Sequence, residues 1–219
     1  MRLALISDTH SLHDDMKYHV EDLINPEVTN ILIHAGDCTN VGKKYEVEDF
    51  VNWYKDIKGF KKKIFIAGNH DMTFEVKEDW YEDYMNEENL SQSDVIYLLD
   101  SEFILEDPEF SRPIKFYGSP WQPEFYNWGF NLPRWGNELE SKWKNIPNDI
   151  DVLITHGPPF SILDYNPQNV SCGCELLRLR LDEINPLIHV FGHIHHSHGV
   201  RYFKDTAMVN ASICTERYN

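Results

Sequence analysis

Five short apolar runs punctuate the chain, and each stops abruptly at polar residues. LALI (residues 3–6) precedes Ser7-Asp8-Thr9-His10, ILI (31–33) precedes His34-Ala35-Gly36-Asp37, and IFIA (64–67) precedes Gly68-Asn69-His70-Asp71. VLIT (152–155) precedes His156-Gly157-Pro158-Pro159, and IHVF (188–191) precedes Gly192-His193-Ile194-His195. Unbroken runs of leucine and β-branched residues read as strands buried on both faces, and the Gly and Pro that follow are turn signals. Between several runs the period becomes helical: Val47, Phe50, Val51 and Tyr54 recur at i, i+3, i+4 and i+7. Residues 14–25 and 174–184 carry a less regular stripe of the same kind. Strand–helix alternation predicts an α/β architecture.

The texture changes further along. Residues 95–105 and 114–117 read as neighbouring strands, as do 198–203 and 207–211, so the sheets should be mixed rather than wholly parallel. Residues 119–147 hold four Pro and four Trp among further Phe and Tyr. They read as a long ordered loop packed by its own aromatics, and loops of that length are usually functional when ordered. With no repeat, low-complexity tract or linker, one domain over 1–219 is expected.

Composition narrows the function classes. A content of 42% hydrophobic and 13% aromatic residues marks a globular chain rather than a disordered one, and 219 residues suffice for a full core. The formal net charge is −16, concentrated in residues 75–88 and 102–109, which read as solvated faces. Such a field repels polyanions, so no nucleic acid polymer is expected as a partner. No apolar run approaches the roughly 18 residues of a membrane span, so no membrane partner is expected. The N-terminus meets Asp8 after one short run, unlike a secretory signal. Cys38, Cys172, Cys174 and Cys214 follow no zinc-finger spacing, so reduced thiols in a cytoplasmic setting are expected.

The chemistry lies at the strand ends. Asp8, His10, Asp37, Asn69, His70, His156, His193 and His195 all stand just past an apolar run. In open α/β sheets those ends converge on the ligand crevice. One such residue reads as a turn or cap, but capping does not explain eight at five successive strand ends. Nitrogen and oxygen donors without a thiolate suit Mn, Fe, Zn or Co. The stretch VFGHIHHSHG (190–199) adds His196 and His198. Residues two apart on an extended chain face the same way, so His193 and His195 reach one ion or straddle two.

Taken in order, D-x-H (Asp8, His10), G-D (Gly36, Asp37), G-N-H-D (residues 68–71), H-G (His156, Gly157) and G-H-x-H (192–195) resemble the five-block signature of the calcineurin-like metallophosphoesterase superfamily. IAGNHDMTFE, GSPWQPEFYNWGFNLPR, THGPP, CGCELL and VNASICT are similar to its metallophosphoesterase-domain-containing (MPPED-type) branch, related to class III cyclic-nucleotide phosphodiesterases. The resemblance spans residues 3–215. It implies an α/β sandwich of two mixed β-sheets flanked by helices (four layers, αββα) and two divalent metal ions, manganese first, with Fe, Zn, Co or Mg as alternatives.

By the same resemblance, Asp8, His10, Asp37 and His195 hold one metal. Asn69, His156 and His193 hold the second, with Asp37 bridging. Two divalent ions against two carboxylates and a bridging hydroxide leave about one net positive charge, which attracts a phosphoryl group. The implied reaction is in-line attack by that hydroxide, with His70 protonating the leaving oxygen and Asp71 orienting its imidazole. Asn127, Phe130 and Arg134 are expected to line the substrate pocket. Some relatives in this branch carry Gly in place of the first His of G-H-x-H, and this chain keeps His193. It departs from them at Trp135, where Gly usually follows N-L-P-R. The expected activity is a phosphodiesterase acting on a small phosphoester such as a cyclic nucleotide. The rivals are a phosphomonoesterase or broad phosphatase with the same site, and a metal- or nucleotide-binding regulatory protein with weak turnover. A homo-oligomer is left open.

Overall fold

The computed structural model describes residues 1–77, 79–87, 90, 93–215 and 217. Within the acidic run at 75–88, Glu78 and Glu88 lie outside the described residues. Four parallel strands form a first sheet in sequence order: β1 (Arg2–Ile6), β2 (Asn30–His34), β3 (Lys62–Phe65) and β4 (Val95–Tyr97). In the second sheet β5 (Ser101–Leu105) pairs antiparallel with β6 (Ile114–Ser119). A separate parallel ribbon is made of β7 (Gln122–Pro123) and β8 (Asn131–Leu132). Then β9 (Val152–Thr155), β10 (Ile188–Phe191), β11 (Gly199–Phe203) and β12 (Thr206–Asn210) complete the second sheet in the order β11-β12-β10-β9-β6-β5.

The unbroken apolar runs are explained by what covers each face. Ile31 and Ile33 of β2 point into a layer shared with Phe116, Val152, Ile154 and Val190 of the second sheet. Leu32, between them, points the other way, onto Val47, Phe50, Val51 and Tyr54. Those residues belong to the second helix of the chain; α1 (Lys17–Glu21) precedes α2 (Lys44–Asp56). On the far side, Leu153 and Phe191 pack on Leu139 and Trp143, and on Leu177 and Leu181. Two short helices, α3 (Thr73–Val76) and α4 (Asp79–Glu87), follow β3; α5 (Asn137–Lys144) and α6 (Glu175–Ile184) cover the second sheet. The order is helix, sheet, sheet, helix, as expected. Each fully buried Ile or Leu contributes roughly 2 kcal/mol by leaving water, so these three layers hold the sheets face to face.

Four expectations change. The helix expected over 14–25 is a 3-10 turn (His13–Met16) running into α1, which stops at Glu21. Residues 95–105 are not one strand region: β4 joins the first sheet and β5 the second, with Asp100 between them at φ 46°. The segment 119–147 is ordered but is not all loop, because it contains β7, β8 and α5. It is pinned through Asp100, whose carboxylate accepts from Ser119 Oγ (2.7 Å), Trp121 Nε1 (2.8 Å) and Lys142 Nζ (2.6 Å). The final hairpin pairs Gly199–Phe203 with Thr206–Asn210, one residue off at each start. Among the described residues no helix is long and apolar enough to cross a membrane.

Each sheet also buries one histidine on its helix side. Thr155 Oγ1 gives its single proton to the Gly157 carbonyl (2.8 Å), so His189 Nε2, 2.8 Å from the same oxygen, carries the hydrogen. His189 Nδ1 is then bare, buried and without a partner among the described residues. His34 has the same tautomer: Nδ1 accepts from the Gly36 amide, and Nε2 faces Thr9 Oγ1 at 3.0 Å. Burial pushes both imidazoles down to about 3. A lowered folded-state value means that the stability these groups confer is complete above the unfolded value of ~6.5 and is lost as pH falls toward 3. Chelator-treated protein is therefore expected to lose about 2 kcal/mol from these two groups between pH 6 and pH 5. His189→Gln, which keeps a donor toward Thr155, should roughly halve that share. Urea midpoints at the two pH values measure it; an unchanged pH slope in the variant would refute the assignment.

Candidate metal centre

The C-terminal ends of β1, β2 and β3 in one sheet and β9 and β10 in the other open on a common edge. A parallel bridge between Ser7 and Ser212 ties the two sheets together there. Four of the candidate ligands leave their strands in the left-handed region: Asp8 (φ 58°), His10 (φ 42°), Asp37 (φ 55°) and His193 (φ 67°). Each costs on the order of 1–3 kcal/mol, and clusters of such residues mark functional sites. Two motif glycines have a direct steric cause. A Cβ on Gly68 would stand 2.3 Å from Asp37 Oδ1, and one on Gly192 would stand 2.1 Å from Asp8 Oδ2. The two carboxylates occupy the space that side chains there would need.

The donor atoms converge in overlapping sets. Asp8, His10 and His195 form one, and Asp37, His156 and His193 another, each with its ligand atoms within 4.8 Å of one another. His10 Nε2 lies 3.3 Å from His195 Nε2, which is 3.2 Å from Asp8 Oδ1. Asp37 Oδ2 faces both groups, 3.8 Å from His10 Nε2 and 3.3 Å from His156 Nε2. Asn69 Oδ1 is 3.0 Å from His156 Nε2, which places it with the second group. A third overlapping set, His10, Asp37 and His70, brings His70 within the same reach.

Backbone carbonyls aim the imidazoles. His156 Nδ1 lies 2.9 Å from the Ala35 carbonyl oxygen, His195 Nδ1 3.1 Å from that of Thr215, and His70 Nδ1 2.6 Å from that of Asn40. A ring donating from Nδ1 presents Nε2 to the centre, the usual way a metal-binding imidazole is oriented. The carboxylates are held likewise: Ser212 Oγ and the His193 amide donate to Asp8 (2.8 and 3.1 Å), and the His70 amide donates to Asp37 (2.8 Å).

Burial pushes the Asp8 and Asp37 carboxyls upward, but the imidazoles of His195 and His156 outweigh it and hold both well below the usual carboxylate range. Burial pulls His193 down to about 3 and also lowers His10. Burial opposes a charge on His156 too, yet the Asp37 carboxylate lifts it to about 9. The metal-free cluster therefore presents ionised carboxylates, imidazoles of His10 and His193 that burial keeps from charging, and imidazoles of His156 and His195 whose protons Asp37 and Asp8 hold; a cation would replace those protons. This donor set fits two divalent ions.

Other expectations are redistributed. Asp71 does not reach the His70 ring: its carboxylate accepts from the Cys38, Thr39 and Gly68 amides (3.2, 2.9 and 2.8 Å) and from Thr39 Oγ1 (2.6 Å). It ties the Asp37 loop to the Asn69 loop, and the Asn40 carbonyl takes the place expected of it. A cavity of about 640 Å³ opens from the cluster, lined in part by Gln122, Phe125, Tyr126, Arg134 and Asn166. Arg134 lines it with its guanidinium engaged by the Gly173 and Cys172 carbonyls (2.6 and 3.0 Å) and by Glu175 (2.8 Å). These contacts brace that loop. Phe130 is 1% exposed and packs on Trp121, and Asn127 is exposed outside the cavity wall. Sequence reading missed Gln122, Phe125 and Tyr126. The signal was present in the aromatic segment, where Phe125 meets His193 edge-on at 5.6 Å. His196 is exposed but reaches the cavity wall, His198 is exposed, and Trp135 is 64% exposed.

Known proteins resemble this chain in sequence and in fold. The chain is 42% identical over 236 aligned residues to metallophosphoesterase domain-containing protein 1 of Homo sapiens, and equally to that of Mus musculus. The alignment takes in 99% of this chain and 67% of the relative. Phosphopantetheinyl hydrolase from Mycobacterium tuberculosis shares the fold, with a TM-score of 0.61 at 17% identity over 99% of this chain and 90% of that one. The family model for calcineurin-like phosphoesterases matches residues 1–197, from before β1 to just past His195. With the two-sheet sandwich and the converging donors, that match makes this chain a member of the calcineurin-like phosphoesterase family.

Proposed function

We propose that the chain is one catalytic domain over 1–219, a dinuclear, manganese-preferring phosphodiesterase of the cytoplasm, acting on a small phosphodiester such as a cyclic nucleotide. The observation that carries this is Asp37: its carboxylate faces two donor groups at the mouth of the cavity. Asp8, His10, Asp37 and His195 are assigned to one ion, and Asp37, Asn69, His156 and His193 to the other. Bound divalent ions supply an activated water and positive charge against the non-bridging phosphoryl oxygens.

The chain's own residues do the rest. The Ala35 and Thr215 carbonyls keep His156 and His195 aimed inward. His70 Nε2, at the rim, passes its proton to the leaving oxygen as the P–O bond breaks. Phe125 and Tyr126 offer a flat, uncharged group apolar contact. The one arginine on the cavity wall among the described residues is already paired, which favours a substrate with a single phosphoryl group to neutralise.

A metal-reconstituted assay comparing a bis-aryl phosphate, a mono-aryl phosphate and 2′,3′- and 3′,5′-cyclic nucleotides tests this reading. Diesters are expected to turn over faster. Faster monoester hydrolysis would replace the diesterase reading with a phosphatase, and no turnover with Mn, Zn, Co or Fe would leave a binding protein.

A further inference from the structure

We propose that Trp128 is a positioning residue for His70, clamping the imidazole so that Nε2 faces the phosphoryl site; this rests on the reading of His70 as the acid. The indole lies on the His70 ring, with centroids 4.0 Å apart and planes within 24°. The Nδ1 contact with the Asn40 carbonyl fixes one atom of the ring but leaves its tilt free. His10 meets the ring edge-on at 4.7 Å, so the stacked indole is what sets the ring plane. Holding a reacting atom in one geometry is worth rate, and small misplacements lose it.

The backbone of the aromatic segment is built to deliver this contact. The Gly129 amide donates to the Asn69 carbonyl (2.9 Å), and the Phe130 amide donates to Glu75 Oε2 (2.6 Å). Three consecutive residues thus grip the segment that carries His70. A Cβ on Gly129 would lie 3.1 Å from the Asn69 carbonyl oxygen, so the approach is close. Trp128 is half-buried and belongs to none of the three hydrophobic clusters, whereas Trp121 and Trp143 do. Its ring serves the imidazole rather than the core. When the Nε2 proton leaves with the departing oxygen, Nδ1 keeps its hydrogen on Asn40, and the stacked ring stays in place to be reprotonated from solvent.

The test uses the full chain loaded with manganese, and diesters with a good (p-nitrophenyl) or a poor (alkyl) leaving group. Trp128→Ala is expected to lower kcat about tenfold to thirtyfold on the poor leaving group and less than about threefold on the good one. KM and metal content should stay near wild type. Trp128→Phe should recover most of the rate, and Trp128→Ala added to His70→Ala should cost little more. Equal losses on both substrates, a raised KM, lost metal or an additive double variant would overturn the proposal.

If His70→Ala itself shows no leaving-group dependence, the acid role fails, and imidazole NMR of the metal-free protein decides the positioning alone. A His70 tautomer unchanged in Trp128→Ala would then refute the clamp; loss of the Nδ1–H tautomer would support it.

Discussion

Asp37→Asn is expected to abolish metal loading and turnover together, with kcat/KM falling about a thousandfold or more, some 4 kcal/mol of transition-state stabilisation. The substitution is nearly isosteric, and an amide oxygen still accepts from the His70 backbone, as Oδ1 does now at 2.8 Å. What disappears is the charge that both donor groups use. Asp37 is 2% exposed and faces His10 on one side and His156 on the other. Without the carboxylate, the metal-free cluster retains Asp8 as its nearest anion, and the lift that Asp37 gives His156 is gone. Each proposed ion then lacks the ligand it shares with the other, so both should weaken. Metal analysis of the purified variant should find well under one equivalent per chain. Two retained ions with turnover within tenfold of wild type would show that Asp37 does not bridge.

The legible part of this protein is where burial and chemistry change abruptly. The parallel strands β2, β9 and β10 are covered on both faces, so their runs carry no alternation, and each is followed within a few residues by a donor of the cluster: Asp37, His156 and His193. The stripe of α2 was equally clear because Phe50, Val51 and Tyr54 meet a continuous apolar surface. The hidden parts have a common cause. Ala35, Asn40 and Thr215 aim imidazoles through main-chain oxygens, and a carbonyl has no side-chain signature. Asp71 follows His70 in the chain, yet its carboxylate serves the Asp37 loop, a partner far away in sequence. The helix α5 was masked because only Leu139 and Trp143 are buried in an otherwise polar stretch, too few to set a period. Arg134 lines the cavity as its residue type suggested, but its partners Gly173 and Glu175 are some forty residues away in the chain and leave no local signal.

His70→Ala separates two roles that the geometry alone leaves adjacent. His70 shares a donor set with His10 and Asp37, so it is either a proton donor or a further ligand. Exposure leans to the first: the His70 side chain is 15% exposed, against 10% for His195, 1% for His10 and 0% for His156. Its Nε2 also stands 4.0 Å from Asp37 Oδ2, farther than those of His10 (3.8 Å) and His156 (3.3 Å). A group at the rim, farther from the shared carboxylate than His10 and His156, is placed to reach a leaving oxygen. A general acid contributes about 10²–10⁴-fold where the leaving group needs a proton and little where it departs as a stable anion. His70→Ala is therefore expected to keep both metals and lose about a hundredfold or more in kcat on an alkyl diester. On a p-nitrophenyl diester it should stay within a few-fold of wild type. Uniform loss across leaving groups together with one missing metal equivalent would make His70 a ligand and require a different acid.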